Sequence, residues 1–275
     1  MIQRYGTNEK GQRVPIASIY TAGEHPIKKN MISPQALQVI DTLRGAGYRA
    51  YIVGGAVRDL LAGKKPKDFD VATDALPNRI RKIFPNAWII GKRFKLAHVI
   101  FPDRYIIEVA TFRSVSSGNF NAVYGTIEED VRRRDFTVNA LFFDPEKEQL
   151  IDYVGGFADL KAHRLVNILP LETIFDSDPV RMLRAAKYAS KCALKIPRKM
   201  KNEIVKKAPL LETVSASRLT EEFFKILASG KAETIFREIE RLNLMPHFLP
   251  RAAAELNASK SKKNLFYAEM KELDN

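Results

Sequence analysis

Gly54-Gly55-Ala56-Val57-Arg58-Asp59, followed by Asp68-Phe69-Asp70-Val71, is the stretch on which the reading of this chain turns. Arg49 to Gly54 is a short β-rich run, and Ala56 to Ala62 has a helical pattern stopped by Gly63, so the glycine pair sits where a strand passes into a helix. Glycine has no Cβ and lets backbone N–H groups approach a phosphate. The helix N-terminus adds a favourable dipole, and Arg58, one turn on, can reach the same anion. Residues 68 to 73 alternate as a strand, which puts Asp68 and Asp70 on one face and Phe69 and Val71 on the core face. Two carboxylates aimed at one point repel each other, an arrangement that makes sense if Mg²⁺ ions bridge them and a triphosphate. Each feature alone has a plainer account: tight packing for the glycines, and two exposed acids at a strand end for the aspartates.

The neighbouring sequence narrows the choice. Ile106-Ile107-Glu108-Val109-Ala110 sets one acid in an apolar strand, costly unless the carboxylate is paired, bound to metal or turned to solvent at an edge. Glu108 can therefore complete a triad with Asp68 and Asp70. Strands are expected at Ala87 to Ile90, Lys95 to Phe101 and Tyr105 to Phe112, the last two joined by Pro102-Asp103-Arg104. Ser33-Pro34 caps a helix with an apolar stripe of Ala36, Leu37, Val39, Ile40 and Leu43, and Pro77 opens another. Arg113 to Gly125, rich in Ser, Gly and Asn, reads as a mobile loop. Beyond Asp152 the strand signal fades and helices are expected at about 173–191, 198–207, 217–228 and 231–243. The first 32 residues mix Gly, Pro and charge without periodicity and read as a loose basic arm.

The 275 residues carry 45 Lys and Arg against 32 Asp and Glu, a net charge of +13 that points to a polyanionic partner. Between Ala185 and Leu210, eight of these cations face Glu203 alone, a run that is either a solvated helix face or a nucleic-acid contact. No apolar run is long enough to span a membrane, and Met1 to Gly6 lacks the apolar core of a signal peptide, so a cytoplasmic protein is expected. The single Cys192 excludes an internal disulfide and a Cys-rich zinc site, and His25, His98, His163 and His247 have no ligand spacing.

Two further segments complete a pattern. Arg133-Arg134-Asp135-Phe136-Thr137-Val138-Asn139-Ala140 and Asp178-Pro179-Val180-Arg181-Met182-Leu183-Arg184-Ala185 follow the strand-borne acids. Together with the G-G-x-x-R-D and D-x-D elements, they resemble the class II branch of the polymerase β superfamily, which holds bacterial poly(A) polymerases and CCA-adding tRNA nucleotidyltransferases. The resemblance covers about residues 48 to 250. It implies an α+β fold, a mixed-sheet nucleotidyltransferase head followed by an all-α neck and body. It divides the chain into an arm (1–32), a catalytic head (33–153), a neck (154–215) and a partial body and tail (216–275). A member of that family would continue with more helices after about Pro250.

The same resemblance implies roles. Asp68, Asp70 and Glu108 would hold two Mg²⁺ ions, with Asp135 grouped beside them in catalysis. Gly54, Gly55, Arg58, Arg134 and Asn139 would bind the ATP substrate. Asp178 and Arg181 would read the base edge and Arg184 would touch the nucleotide. A carboxylate accepting from an exocyclic amino group beside a guanidinium donating to a ring nitrogen fits adenine and cytosine alike, so this pair leaves ATP and CTP unseparated. Ser177 departs from the family, where a Glu precedes the aspartate. If that Glu orients the arginine, Arg181 needs another partner here.

Gly91-Lys92-Arg93-Phe94-Lys95-Leu96-Ala97-His98-Val99 closely resembles the signature of the poly(A) polymerases rather than that of the CCA-adding relatives. It favours adenylate addition to RNA 3′ ends. CCA addition, or an RNA-binding protein on an inactive head, stands as the alternative. Arg93 and Lys95 would meet the triphosphate or primer backbone. Lys187, Lys191 and Lys195, at i+4 steps beyond the base readers, would hold primer phosphates. Oligomeric state is not legible, and a monomer is the default.

Overall fold

Helix α1 (Pro34–Gly45) starts where Ser33-Pro34 predicts, the Ser33 hydroxyl accepting the Ala36 N–H at 3.2 Å. Its Ala36, Val39, Ile40 and Leu43 recur at helical spacing and are buried, each large aliphatic contributing roughly 1.5–3 kcal/mol on burial. The computed structural model describes residues 1–7, 10–91, 95–114 and 124–275. The chain divides into two units, Met1–Asp159 and Leu160–Asn275. That division falls slightly later than the expected head boundary at residue 153.

The first unit is built on one mixed sheet. Its strands are β1 (Ile2–Thr7), β2 (Arg13–Tyr20), β3 (Ala50–Val53), β4 (Asp70–Thr73), β5 (Ala87–Ile90), β6 (Leu96–Ile100), β7 (Ile106–Thr111), β8 (Leu141–Asp144) and β9 (Gln149–Asp152). They lie in the order β1-β2-β9-β8-β3-β4-β7-β6-β5, and β4 and β7 run parallel. Inward side chains such as Ile52, Val71, Val99 and Val109 join one cluster with α1, α2 (Gly55–Leu61) and Ile80 of α3 (Pro77–Ile83). Helix α4 (Ile127–Arg133) opens with a capping box between Thr126 and Glu129. Helix α5 (Gly156–Lys161) follows β9, with the buried Asp152 carboxylate accepting the N–H groups of Val154, Gly155, Gly156 and Phe157.

Two expectations give way here. The loose arm is instead the antiparallel hairpin β1–β2, and β2 pairs with β9 through Ser18 and Asp152. Strands β8 and β9 were not anticipated from the sequence either. Each is a hairpin that also pairs with a strand far along the chain, β2 with β9 and β8 with β3, so local composition carries only part of the signal. Asp68 precedes β4 rather than lying in it, although the alternation holds: Asp68 exposed, Phe69 buried, Asp70 half-buried, Val71 buried. The stretch read as a mobile loop falls largely on 115–123, outside the described residues, as does Arg93.

The second unit is helical: α6 (Leu171–Ser177), α7 (Val180–Cys192), α8 (Arg198–Lys207), α9 (Ala216–Leu227), α10 (Ala232–Arg241), α11 (Met245–Phe248), α12 (Pro250–Ala258) and α13 (Lys260–Leu273). The single helix expected at 173–191 is broken at Asp178-Pro179. A residue before proline is pushed out of the helical region, and Asp178 has φ −159° and ψ 95°. The tail of the chain forms α12 and α13. Among the described residues no helix is long and apolar enough to cross a membrane.

Candidate active site

Strand register brings the acids together. In the parallel pair β4–β7, Asp70 stands opposite Glu108, so both side chains leave the same face of the sheet. The antiparallel pair β3–β4 sets Val53 opposite Asp70, and Gly54 follows directly. The acid row and the glycine turn are therefore adjacent, although Asp70 and Glu108 lie 16 and 54 residues beyond Gly54 in sequence. Glu108 also faces His98 of β6, with Nε2 and Oε2 3.4 Å apart. The donors are carboxylate oxygens, the chemistry that Mg²⁺ takes. Among the described residues no three such side chains stand close enough to hold an ion together, so the expected triad shares a face without closing into a cluster.

Gly54 adopts φ 67° and ψ −125°, a conformation open to glycine and strained for other residues. A Cβ on Gly54 would lie 3.7 Å from Arg134 Nη1, and one on Gly55 would lie 3.7 Å from Arg58 Nη2. The two guanidinium groups thus flank the bare turn. Asn139 ties them together. Its side-chain oxygen accepts from Arg58 Nη1 at 2.6 Å and its main-chain oxygen accepts from Arg134 Nη1 at 3.0 Å. Arg58 also donates to Asp59 Oδ1 through Nε and Nη2, and Arg134 donates to Asp130 Oδ2 through the same two nitrogens.

Burial separates the roles expected of these residues. Arg58 is 3% exposed and lies beneath the turn, whereas the Arg134 side chain is 22% exposed. Arg134 is thus the more open of the two guanidinium groups. Asp135, grouped above with the catalytic acids, is buried. Its Oδ1 accepts the Phe136 N–H at 2.8 Å and Asn139 Nδ2 at 3.1 Å, so it positions Asn139 rather than facing the open side of the sheet.

Within the helical unit, the break at Pro179 removes Asp178 from the helix on which it was expected to stand with Arg181. Arg218 of α9 donates through Nη2 to both Asp178 oxygens, at 2.9 and 3.0 Å. Arg181 donates through Nη1 to Ser177 Oγ at 2.8 Å and to the Ile174 carbonyl at 3.2 Å. Ser177, at the position where the family carries Glu, is thus the partner that Arg181 required. Arg184 donates to the Tyr188 hydroxyl at 3.1 Å.

The three lysines do not form one stripe. Lys187 is buried and paired with Glu222 of α9, so its charge is spent inside the unit. Helix α7 ends at Cys192 with Ala193 left-handed at φ 53°, which leaves Lys195 beyond the helix, its backbone in a parallel β-bridge beside Arg164. Lys195 is exposed and Lys191 half-buried, while Lys95 is exposed just before β6.

Sequence reasoning missed four partners: Asp59, His98, Asp130 and Arg218. Asp130 stands four residues before Arg134 and was legible as a helical pair. Asp59 is part of the quoted motif. No local signal marks Arg218, which meets Asp178 across 40 residues of chain.

Comparison with known proteins gives three findings. The family described as the poly A polymerase head domain matches residues 50–166, and one described as a probable RNA- and SrmB-binding site of polymerase A matches 193–256. The chain is 40% identical over 252 residues to poly(A) polymerase I of Salmonella typhi, covering 86% of this chain and 54% of that protein. It is 36% identical to a CCA-adding enzyme of Geobacillus kaustophilus over 70% of this chain and 49% of the relative. Among solved structures, the CCA-adding enzyme of Bacillus stearothermophilus in complex with CTP matches with a TM-score of 0.69 at 33% identity, covering 78% of this chain and 54% of that one. The chain spans about half the length of the curated relatives it matches.

Proposed function

The chain belongs to the family of poly(A) polymerase head domains and their CCA-adding relatives, and from that premise we propose that it adds adenylate residues from ATP to RNA 3′ ends without a template, releasing pyrophosphate. One observation carries the reading: the register that sets Asp70 beside Glu108 also sets the glycine turn, flanked by Arg134, next to Asp70. An acceptor hydroxyl and a triphosphate need acidic and cationic groups side by side, and this part of the sheet supplies both.

Mg²⁺ would be held by carboxylates of this row, Asp70 and Glu108 being paired across β4–β7 and Asp68 lying two residues before Asp70, and when bound it neutralises triphosphate charge and favours the ionised form of the attacking hydroxyl. The chain's own groups do the rest. Backbone at Gly54 and Gly55 admits the phosphates without steric conflict. Arg134 offsets the negative charge that grows as the pyrophosphate leaves. Arg58, neutralised by Asp59 and fixed by Asn139, keeps the floor of the turn in place. Arg181, held by Ser177, and Asp178, held by Arg218, present the donor and acceptor that fit the amino and ring-nitrogen edge of adenine. Lys95 and Lys195 are exposed and Lys191 is half-buried, cations suited to an RNA backbone.

Adenylate addition is favoured over CCA addition by the higher identity and longer coverage of the poly(A) polymerase relatives. The test is product sequencing after incubation with ATP, CTP and two RNAs, one a tRNA lacking its 3′ end. A homopolymeric A tail on the generic RNA is expected. Extension that stops after C-C-A on tRNA alone would replace this reading with the CCA-adding one.

A further inference from the structure

Four strands of the head carry a continuous row of side chains on one face. Register pairs Trp88 of β5 with His98 of β6, His98 with Glu108 of β7, and Glu108 with Asp70 of β4. Residues paired in this way point to the same side. Three of the four are the acids and the imidazole already described. The fourth is the chain's single tryptophan, on the sheet's edge strand and 69% exposed.

The rest of that face has the same character. Ile90, Leu96, Ile100 and Ile106 share it and are exposed or half-exposed. Their neighbours Ala87, Ala97, Val99 and Ile107 point the other way, into the core under α1 and α3. An indole left open at the rim is costly in water unless something uses it. Lys95, before β6, and Arg104, in the turn after it, are exposed at opposite ends of that strand. The acid of the same turn, Asp103, is engaged by Gln35 Nε2 at 2.8 Å.

We propose that this face is the bed for the single-stranded RNA leading to the reacting 3′ end, with Trp88 stacking on a base upstream of the terminal nucleotide. The inference rests on the reading that an RNA 3′ hydroxyl is the acceptor. Three strand spacings of about 4.8 Å place the indole roughly 14 Å from the Asp70 position, beyond the reach of the terminal nucleotide and within reach of its predecessors. Aromatic stacking accepts any base, which suits a polymerase without a template, and the two cations suit a phosphate backbone. A protein partner fits less well. It would have to bury the His98–Glu108 pair in the middle of the face, and removing those groups from water is unfavourable.

The single tryptophan makes the test direct. The full chain is titrated with a single-stranded oligoadenylate of about 12 nucleotides while its emission is recorded, and separately with ATP. Quenching by RNA but not by ATP is expected. Trp88→Ala should weaken binding of a labelled copy of the same RNA about five- to tenfold while the KM for ATP holds, and Trp88→Phe should recover most of the loss. Emission that is unmoved at RNA saturation overturns the proposal. So does emission that follows protein concentration rather than RNA, which would give the face to a second copy of the chain. Quenching by RNA in a protein that extends no 3′ end would sink the polymerase reading and leave this surface standing.

Discussion

Arg58 donates through Nη1 to the side-chain oxygen of Asn139 at 2.6 Å, a buried bond between residues 81 apart in the chain. Because Asn139 also holds Arg134 through its carbonyl, this bond couples the floor of the glycine turn to the cation beside it.

Asn139→Ala removes the acceptor and leaves a buried guanidinium donor to find another. It should destabilise the head by about 1–3 kcal/mol and raise the KM for ATP. Thermal unfolding read alongside ATP titration checks both. A variant with unchanged melting and unchanged KM would mean the bond does not organise the turn.

Asp70→Asn should fold normally, because the side chain is half-buried at the open face, yet lose nucleotide addition by about a hundredfold or more. Circular dichroism and primer extension separate the two effects. Full activity in this variant would end the assignment of the acid row.

Ser177→Ala takes away the hydroxyl that accepts from Arg181 and leaves the Ile174 carbonyl in place. The expected result is a reduced preference for ATP over UTP, whose base edge presents the opposite donor and acceptor pattern, with little change in stability, read from kcat/KM for the two nucleotides. Equal discrimination in variant and wild type would place the selection elsewhere.

Lys187→Ala should unfold the helical unit rather than weaken RNA contact, since it strands the buried Glu222 and breaking a buried pair costs about 3–5 kcal/mol. Lys195→Ala should instead lower the salt dependence of RNA binding by about one phosphate contact without changing stability. The reverse pattern would restore Lys187 to the RNA surface.

Glu240 supplies a pH dependence. Burial raises its pKa, but hydrogen bonds from Lys263 and Tyr267 outweigh that and hold it below the usual glutamate range. A carboxyl depressed on folding stabilises above its unfolded pKa and loses that contribution as pH falls through the folded value. The docking of α13 on α10 should therefore loosen under acid, and Glu240→Gln should flatten that acid limb in a melting series. A wild-type series that is flat down to the depressed value would refute this.

Much of the site was legible because its chemistry is local. G-G-x-x-R-D and D-x-D each place their own side chains through one strand or one turn, and the Ser33-Pro34 start of α1 needs only the next three residues. The alternation around Asp70 survives even though β4 begins two residues late, since the face is set by backbone geometry and not by strand length. Lys187 shows the opposite case. Its i+4 spacing is a property of the helix, but whether that face meets water or α9 is not.

What the sequence determined by itself is the inventory: an acid pair, a bare glycine turn, two arginines, and an aspartate and an arginine on either side of Pro179. Tertiary structure decided who meets whom. Strand register put Glu108 opposite Asp70 and Trp88 at the end of the same row, Asn139 joined Arg58 to Arg134, and Arg218 and Ser177 took hold of Asp178 and Arg181. Periodicity fixes which way a side chain leaves its own element. Contact between elements depends on register and packing over tens of residues, where the energies belong to the whole sheet and bundle, so no single stretch encodes them.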